Sequence, residues 1–194
     1  MASNDQNMRL AFKYFNKGML LLWRLGLGPW INMWPAQTGR IMVLAHRGRK
    51  TGQLRHSPVN YCLVNGGLYC TAGFGAGADW YRNLMATPDV EVWLPDGWWS
   101  GRAEDVTDQP DSLPILRQVL VASGFAARWA GIDALGMSDA EIRQHTEGYR
   151  LVHIRRTLPR TGPGGPGDLS WVWMVSTLVL GLLQLTHRRR GRRS

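Results

Sequence analysis

Apolar and polar positions divide the chain into three regimes. From Met8 to Leu25 apolar residues recur at Ala11, Tyr14, Phe15, Gly18, Leu22 and Leu25, with Lys13, Asn16 and Lys17 between them. That spacing predicts an amphipathic helix, which Gly26-Leu27-Gly28-Pro29 ends. A short apolar stretch, Trp30, Ile31, Met33 and Trp34, follows and suits either a core or a bilayer surface. The middle of the chain reads as strands: Ile41 to Ala45, Val59 to Val64, Leu68 to Ala72, Val90 to Leu94 and Trp98 to Val106. Asn65-Gly66-Gly67 and Pro95-Asp96-Gly97 are turn signals between them. Five strands joined mostly by tight turns predict an antiparallel sheet curled into a small barrel.

Helices interrupt this sheet. Asp79 is the expected cap for Trp80 to Ala86, and Pro88 follows its end. Residues 110–146 read as two or three helical pieces broken at Gly124 and Gly136, with Ser138 and Glu141 forming a capping box. Tyr149 to Ile154 supplies a final strand. The third regime begins after it. Leu158 to Asp168 is a Pro/Gly linker, and Leu169 to Leu185 carries no charge. Trp171 and Trp173 at one end and Arg188, Arg189, Arg190, Arg192 and Arg193 beyond the other resemble interfacial anchors, predicting a membrane-associated helix. Carrying arginines outward against an inside-negative potential costs about 2.3 kcal/mol per charge per 100 mV. An interfacial helix with both ends cytoplasmic is therefore preferred to a span.

The organisation expected is a helical lead-in over 1–35, a barrel domain over 36–157 and a linker over 158–168. An apolar helix over 169–187 and a basic tail over 188–194 complete it.

Composition narrows the function classes. The chain of 194 residues has 23 basic and 14 acidic residues, a formal charge of +9. Five of those positive charges sit in the tail, so the body is only mildly basic. No zinc-finger spacing or basic helix with interleaved aromatics is present, which argues against nucleic acid. Ten tryptophans are spread along the chain, suiting core, interface and ring-shaped ligands. Cys62 and Cys70, without a secretion signal, read as buried and reduced, facing each other across a three-residue hairpin loop. The body is expected to be cytoplasmic, at the cytoplasmic face of the cell membrane.

Conventional catalytic sets are missing. His46, His56, His145, His153 and His187 lack metal-ligand spacing, and there is neither a Gly-x-Ser-x-Gly elbow nor a Walker loop. His56 and Ser57 are strand neighbours and face opposite sides. Asp79 and Glu104 read better as a cap and a surface strand residue than as an acid–base pair. No catalytic side chain and no metal ligand are predicted. An anion site is. Gly48-Arg49-Lys50-Thr51-Gly52-Gln53-Leu54-Arg55 combines two glycines, whose freedom lets backbone N–H groups converge, with three cations and a hydroxyl. A solvated basic hairpin is the plain alternative for this segment alone. Downstream, Gly73-Phe74-Gly75-Ala76-Gly77 leads into a helix whose positive end faces those glycines. A chain with an anion site and no acid–base machinery suits chemistry borne by a cofactor.

The order Gly-Arg-Lys-Thr-Gly-x-x-Arg-x-x-Pro, a strand hairpin, then a glycine loop leading to Asp-Trp-Tyr-Arg-Asn-Leu and Pro-x-Val-x-Val, resembles the deazaflavin-dependent nitroreductase and quinone reductase family. The resemblance covers roughly 15–156. It implies an α+β fold, a small antiparallel split β-barrel of the FMN-binding split-barrel type with flanking helices. It also implies hydride transfer from reduced coenzyme F420, an 8-hydroxy-5-deazaflavin, to quinones or nitroaromatics. Carried over by position, Arg49, Lys50, Thr51 and Arg55 would hold the cofactor's phosphate and acidic tail, with Pro58 shaping the wall. Gly75, Ala76 and Gly77 would contact the cofactor, and Trp80 and Asn83 would frame that end. Tyr149 and Trp98 are the candidates for the substrate pocket. The sequence departs from many relatives just before the basic turn, where Ala45, His46 and Arg47 replace threonines.

The partners expected are a quinone or nitro acceptor, membrane lipid through residues 169–194, no nucleic acid, and a homodimer as an open option. Two alternatives stay open: FMN in place of F420, and a non-catalytic cofactor- or lipid-binding protein attached to the membrane.

Overall fold

The computed structural model describes residues 14–35 and 39–191, with residues 185–191 described by backbone alone. The start of the first predicted helix, Met8 to Lys13, and the side chains of the tail arginines lie outside the described residues.

Six antiparallel strands form a closed barrel: β1 (Ile41–Arg47), β2 (Leu54–Val64), β3 (Gly67–Ala72), β4 (Asp89–Leu94), β5 (Gly97–Asp105) and β6 (Arg150–Pro159). Their order around the barrel is β1-β2-β3-β6-β5-β4, and β4 returns to β1 through Val43↔Trp93 and Leu44↔Val92. The expected barrel is therefore present, with every strand paired on both sides, so none is left as a free edge.

Alternation sorts the residues by face. Met42 and Leu44 of β1 point inward with Val59, Tyr61, Cys70, Val92, Ala103, Val152 and Ile154. Ile41 and Val43 point outward and pack with Met19, Trp23 and Trp93 beneath helix α1, residues 14–24. Strand β1 is thus buried on both faces up to His46, and only Arg47 emerges. Such double burial explains why it reads as an apolar run rather than as an alternation.

Both hairpins are tighter than the sequence suggests. Val64 pairs with Gly67, leaving a two-residue loop in which Asn65 (φ 50°) and Gly66 (φ 80°) are both left-handed. Two positive φ values match the right-handed strand twist, and Asn-Gly is the dipeptide that tolerates them. The cysteines accordingly fall one register apart, Tyr61↔Cys70 and Cys62↔Tyr69. Cys70 lies inside the barrel and Cys62 outside under a helix, so they do not face each other. Both are free and buried, and burial pushes the Cys62 thiol up to about 12 and Cys70 up as well.

Short helix α2 (Gly28–Ile31) follows α1, and α3 (Asp79–Ala86) lies across one mouth of the barrel. Helices α4 (Ser112–Ala122), α5 (Phe125–Trp129) and α6 (Asp139–His145) cover the β2–β3 side. The Ser138–Glu141 capping box opens α6 as predicted. Asp79 does not cap α3: the N-cap is Ala78, and the Asp79 carboxylate is engaged elsewhere.

The last helix, α7 (Trp171–Gly191), leaves the body from a fastened root. Arg24 and Asp168 form a bidentate pair at 2.8–3.2 Å, and Trp173 Nε1 donates to the Leu25 carbonyl at 2.9 Å. The segment before it follows the barrel wall: Gly165 is buried against the Trp98 ring, and the Gly167 N–H donates to Trp23. Along α7, Met174, Leu178, Leu180, Leu182 and Leu183 are all exposed. Among the described residues, no helix is long and apolar enough to cross a membrane.

Candidate functional site

Strands β1 and β2 are joined by the basic turn, residues 48–53, and their register brings His46 opposite Arg55. The turn is closed by Gly48 N–H donating to the Gln53 carbonyl at 2.8 Å and Gly52 N–H to the Gly48 carbonyl at 2.7 Å. Gly52 takes φ +68°, which a side chain rarely adopts. At Gly48 a Cβ would lie 2.9 Å from Arg55 Nε, so the Arg55 side chain packs directly over this glycine.

Helix α3 faces this turn with one edge. Asp79 and Asn83 are four residues apart and so share a face. Asn83 Oδ1 accepts from the Arg49 main-chain N–H (3.1 Å) and from Arg49 Nη1 (3.0 Å), while Asp79 Oδ1 accepts from Arg49 Nη2 (3.0 Å). Arg49 is thereby fixed. Lys50 and Arg55 form no ion pair among the described residues. Gly48, Arg49, Lys50, Thr51, Arg55, Asp79 and Asn83 together line a cavity of about 220 Å³.

One expectation changes. Apart from that of Lys50, the turn's N–H groups do not converge on the cavity: those of Gly48, Arg49, Thr51 and Gly52 are taken within the turn or by Asn83, and Gln53 N–H points to Thr51 Oγ1. An anion here meets side chains, with three cations set against the single carboxylate of Asp79.

Beneath the turn lies a buried polar chain that the sequence reading did not identify. His46 is 2% exposed and Asn83 3%. His46 Nδ1 is 3.3 Å from Asn83 Nδ2, and His46 Nε2 is 3.0 Å from Ser57 Oγ. Burial pushes the imidazole down to about 4, with nearby His56 and Arg55 acting the same way and the Arg47 carbonyl opposing them, so it is neutral at pH 7. The signal was parity: His46 continues the inward face of Met42 and Leu44.

The structure brings together Arg49, Lys50, Thr51, Arg55 and Asn83 of the predicted set. It does not add Pro58, which pairs with Val43 and faces outward, opposite to Arg55. Gly75, Ala76, Gly77 and Trp80 do not line the cavity. Gly75 (φ +59°) is explained by packing, because a Cβ there would sit 2.3 Å from the Gly148 carbonyl oxygen. The Ala76 carbonyl accepts from Arg82 Nε at 2.8 Å, and Trp80 packs against the barrel core. Tyr149 packs on the α4–α6 cluster with its ring close to Gly73. Trp98 is on the outer wall, donating to Glu91 at 3.0 Å with Arg160 over its ring. The two substrate candidates are thus not brought together.

A larger cavity of about 470 Å³ lies elsewhere, between the β2–β3 hairpin and α4, and contains none of the predicted site residues.

Comparison with known proteins gives the arrangement its context. A conserved hypothetical protein, Rv2991, from Mycobacterium tuberculosis is 20% identical with a TM-score of 0.44, covering 72% of this chain and 90% of its own. An F420-H2 dependent reductase, FDR-A, is 22% identical with a TM-score of 0.43, covering 59% and 92%. Atu2129 from Agrobacterium tumefaciens, of unknown function, is 17% identical with a TM-score of 0.46, covering 72% and 56%. The model of one family, F420H(2)-dependent quinone reductase, matches residues 29–135, which run from α2 through the basic turn, the glycine loop and all of β1–β5 to the segment after α5. On that match over more than half its length, the chain belongs to the F420H(2)-dependent quinone reductase family, and coenzyme F420 is the cofactor that membership implies.

Proposed function

We propose that the chain is an F420H2-dependent reductase whose cationic cavity holds the anionic tail of the cofactor and whose acceptor is a quinone. The observation that carries this reading is the convergence of Arg49, Lys50, Thr51, Arg55 and Asn83 on one cavity. The donor set fits. Arg55 offers a planar fork, Lys50 a mobile point charge and Thr51 a hydroxyl, which together suit phosphate and carboxylate oxygens. The size fits the tail alone, since whole-ligand sites usually enclose about 300–1,000 Å³.

Bound there, the reduced deazaflavin would supply a hydride to the acceptor. The chain's part is to bind, orient and screen. Arg49, pinned by Asn83 and Asp79, presents its charge without first losing side-chain freedom. Asp79 moderates the field and favours release of the anion. No side chain is assigned as a proton donor, in keeping with a site whose chemistry belongs to the cofactor. A nitroaromatic acceptor would draw on the same chemistry.

The acceptor's class is supported by the tail. The exposed apolar part of α7, followed in sequence by five arginines, suits an interface with anionic lipid, where lipid-soluble quinones reside. Fluorescence titration with F420 and with FMN, then turnover of reduced F420 with a menaquinone analogue in vesicles, tests the reading. F420 binding with quinone-dependent oxidation is expected. Preference for FMN, or binding without turnover, would overturn it.

A further inference from the structure

Donor and acceptor logic gives the buried chain beneath the basic turn a direction. The Arg49 N–H and guanidinium only donate, so the Asn83 group that faces them at 3.0–3.1 Å is the carbonyl Oδ1. The Asn83 amide must then turn Nδ2, also a donor, towards His46 Nδ1 at 3.3 Å. A nitrogen receiving that contact carries a lone pair, and the imidazole proton sits on Nε2, pointing at Ser57 Oγ 3.0 Å away. Each link fixes the next: Arg49 donates to Asn83, Asn83 to His46, and His46 to Ser57.

We propose that His46 is a positioning residue of the anion site, holding the Asn83 amide so that its oxygen faces Arg49, with Ser57 fixing the ring from the other side. This rests on the cavity being the cofactor-tail site. Without His46 the buried Nδ2 group loses its acceptor, a costly state. The amide can then rotate, and a rotated amide would present N–H groups to the Arg49 N–H. The turn would lose the contact that ties it to α3, and Arg49 would keep only Asp79, whose carboxylate is 82% exposed. The neutral ring presents one lone pair at Nδ1 and so enforces a single amide orientation.

The test is a double-mutant cycle on F420 affinity in the full chain, using His46→Phe, Arg49→Ala and the pair, with thermal unfolding of each. Phenylalanine keeps the ring and removes the lone pair. The expected result is about tenfold weaker binding for His46→Phe, the scale of one buried partner lost. That loss should disappear in the Arg49→Ala background, since His46 acts through Asn83 on Arg49. Additive losses, or unchanged affinity in His46→Phe, would overturn the proposal. Nitrogen-15 spectra of the cofactor-free wild type supply a readout independent of folding of the variants: His46 should appear as the neutral Nε2–H tautomer. An Nδ1–H tautomer would overturn it equally. Failure of the wild type to bind F420 would instead sink the cofactor assignment, leaving the tautomer measurement to decide the relay.

Discussion

Asn83 holds Arg49 twice, through the main-chain N–H at 3.1 Å and through Nη1 at 3.0 Å. One amide oxygen therefore ties the basic turn to α3 and aims the cation at the same time. The cavity walls come from two segments, 48–55 and 79–83, and this contact, between residues 34 positions apart, closes them together.

Lys50 and Arg55 are the cations left to meet a ligand. Replacing both by alanine should weaken F420 binding by about a hundredfold to ten-thousandfold, since hydrogen bonds to charged groups are each worth about 1.5–3 kcal/mol. The wild-type affinity should fall steeply as salt rises and the variant's should not. Fluorescence titration at two ionic strengths measures both.

Asp79→Asn should tighten binding of an anion at low salt by a few-fold. The substitution removes the one carboxylate from the cavity, and Asn83 still holds Arg49. Stability should change by no more than about 1 kcal/mol, because an ion pair with a largely exposed carboxylate contributes little. Phosphate binding by calorimetry, with urea unfolding alongside, checks the two halves separately.

Acid should destabilise the fold through His46. The unfolded chain takes up this proton near 6.5, and the folded protein resists until about 4. Between those values the unfolded state binds more protons, so stability rises with pH across the window. It falls on acidification, by an amount on the order of 3 kcal/mol once pH is below the folded value. His56 and His153, also lowered by burial, add to the same slope. Urea unfolding at pH 7 and pH 4.5 should show the loss, and His46→Phe should flatten the dependence.

Gly75→Ala should cost about 1–3 kcal/mol or more, combining a left-handed backbone with a Cβ 2.3 Å from the Gly148 carbonyl oxygen. Gly77→Ala, where a Cβ meets nothing within 4 Å, serves as the control and should be nearly neutral. Thermal unfolding of the pair separates packing from ligand approach as the reason for the glycine loop.

The barrel was legible because turn signals and strand runs recur at short intervals, and the cation cluster was legible because its members are near neighbours in sequence. What stayed hidden depends on pairing across distance. Ser57 and His46 meet only through the β1–β2 register, and Asp79, read as a helix cap, spends its carboxylate on Arg49. Pro58 shows the reverse: near Arg55 in sequence, it faces the other side of β2, because a strand turns successive side chains to opposite faces. Gly75 resembles a glycine reserved for a ligand until Gly148 is seen beside it.

The fastening of Arg24 to Asp168 changes what kind of connection the glycine- and proline-rich segment makes. Composition alone describes a leash, on which barrel and tail would tumble independently. With Gly165 pressed on Trp98 and Trp173 bonded to Leu25, the last helix leaves as a mast stepped into the hull. Its heading is then a property of the barrel wall. Whatever surface the mast meets, the mouth carrying Arg49 is presented to it at a set angle instead of being left to find one.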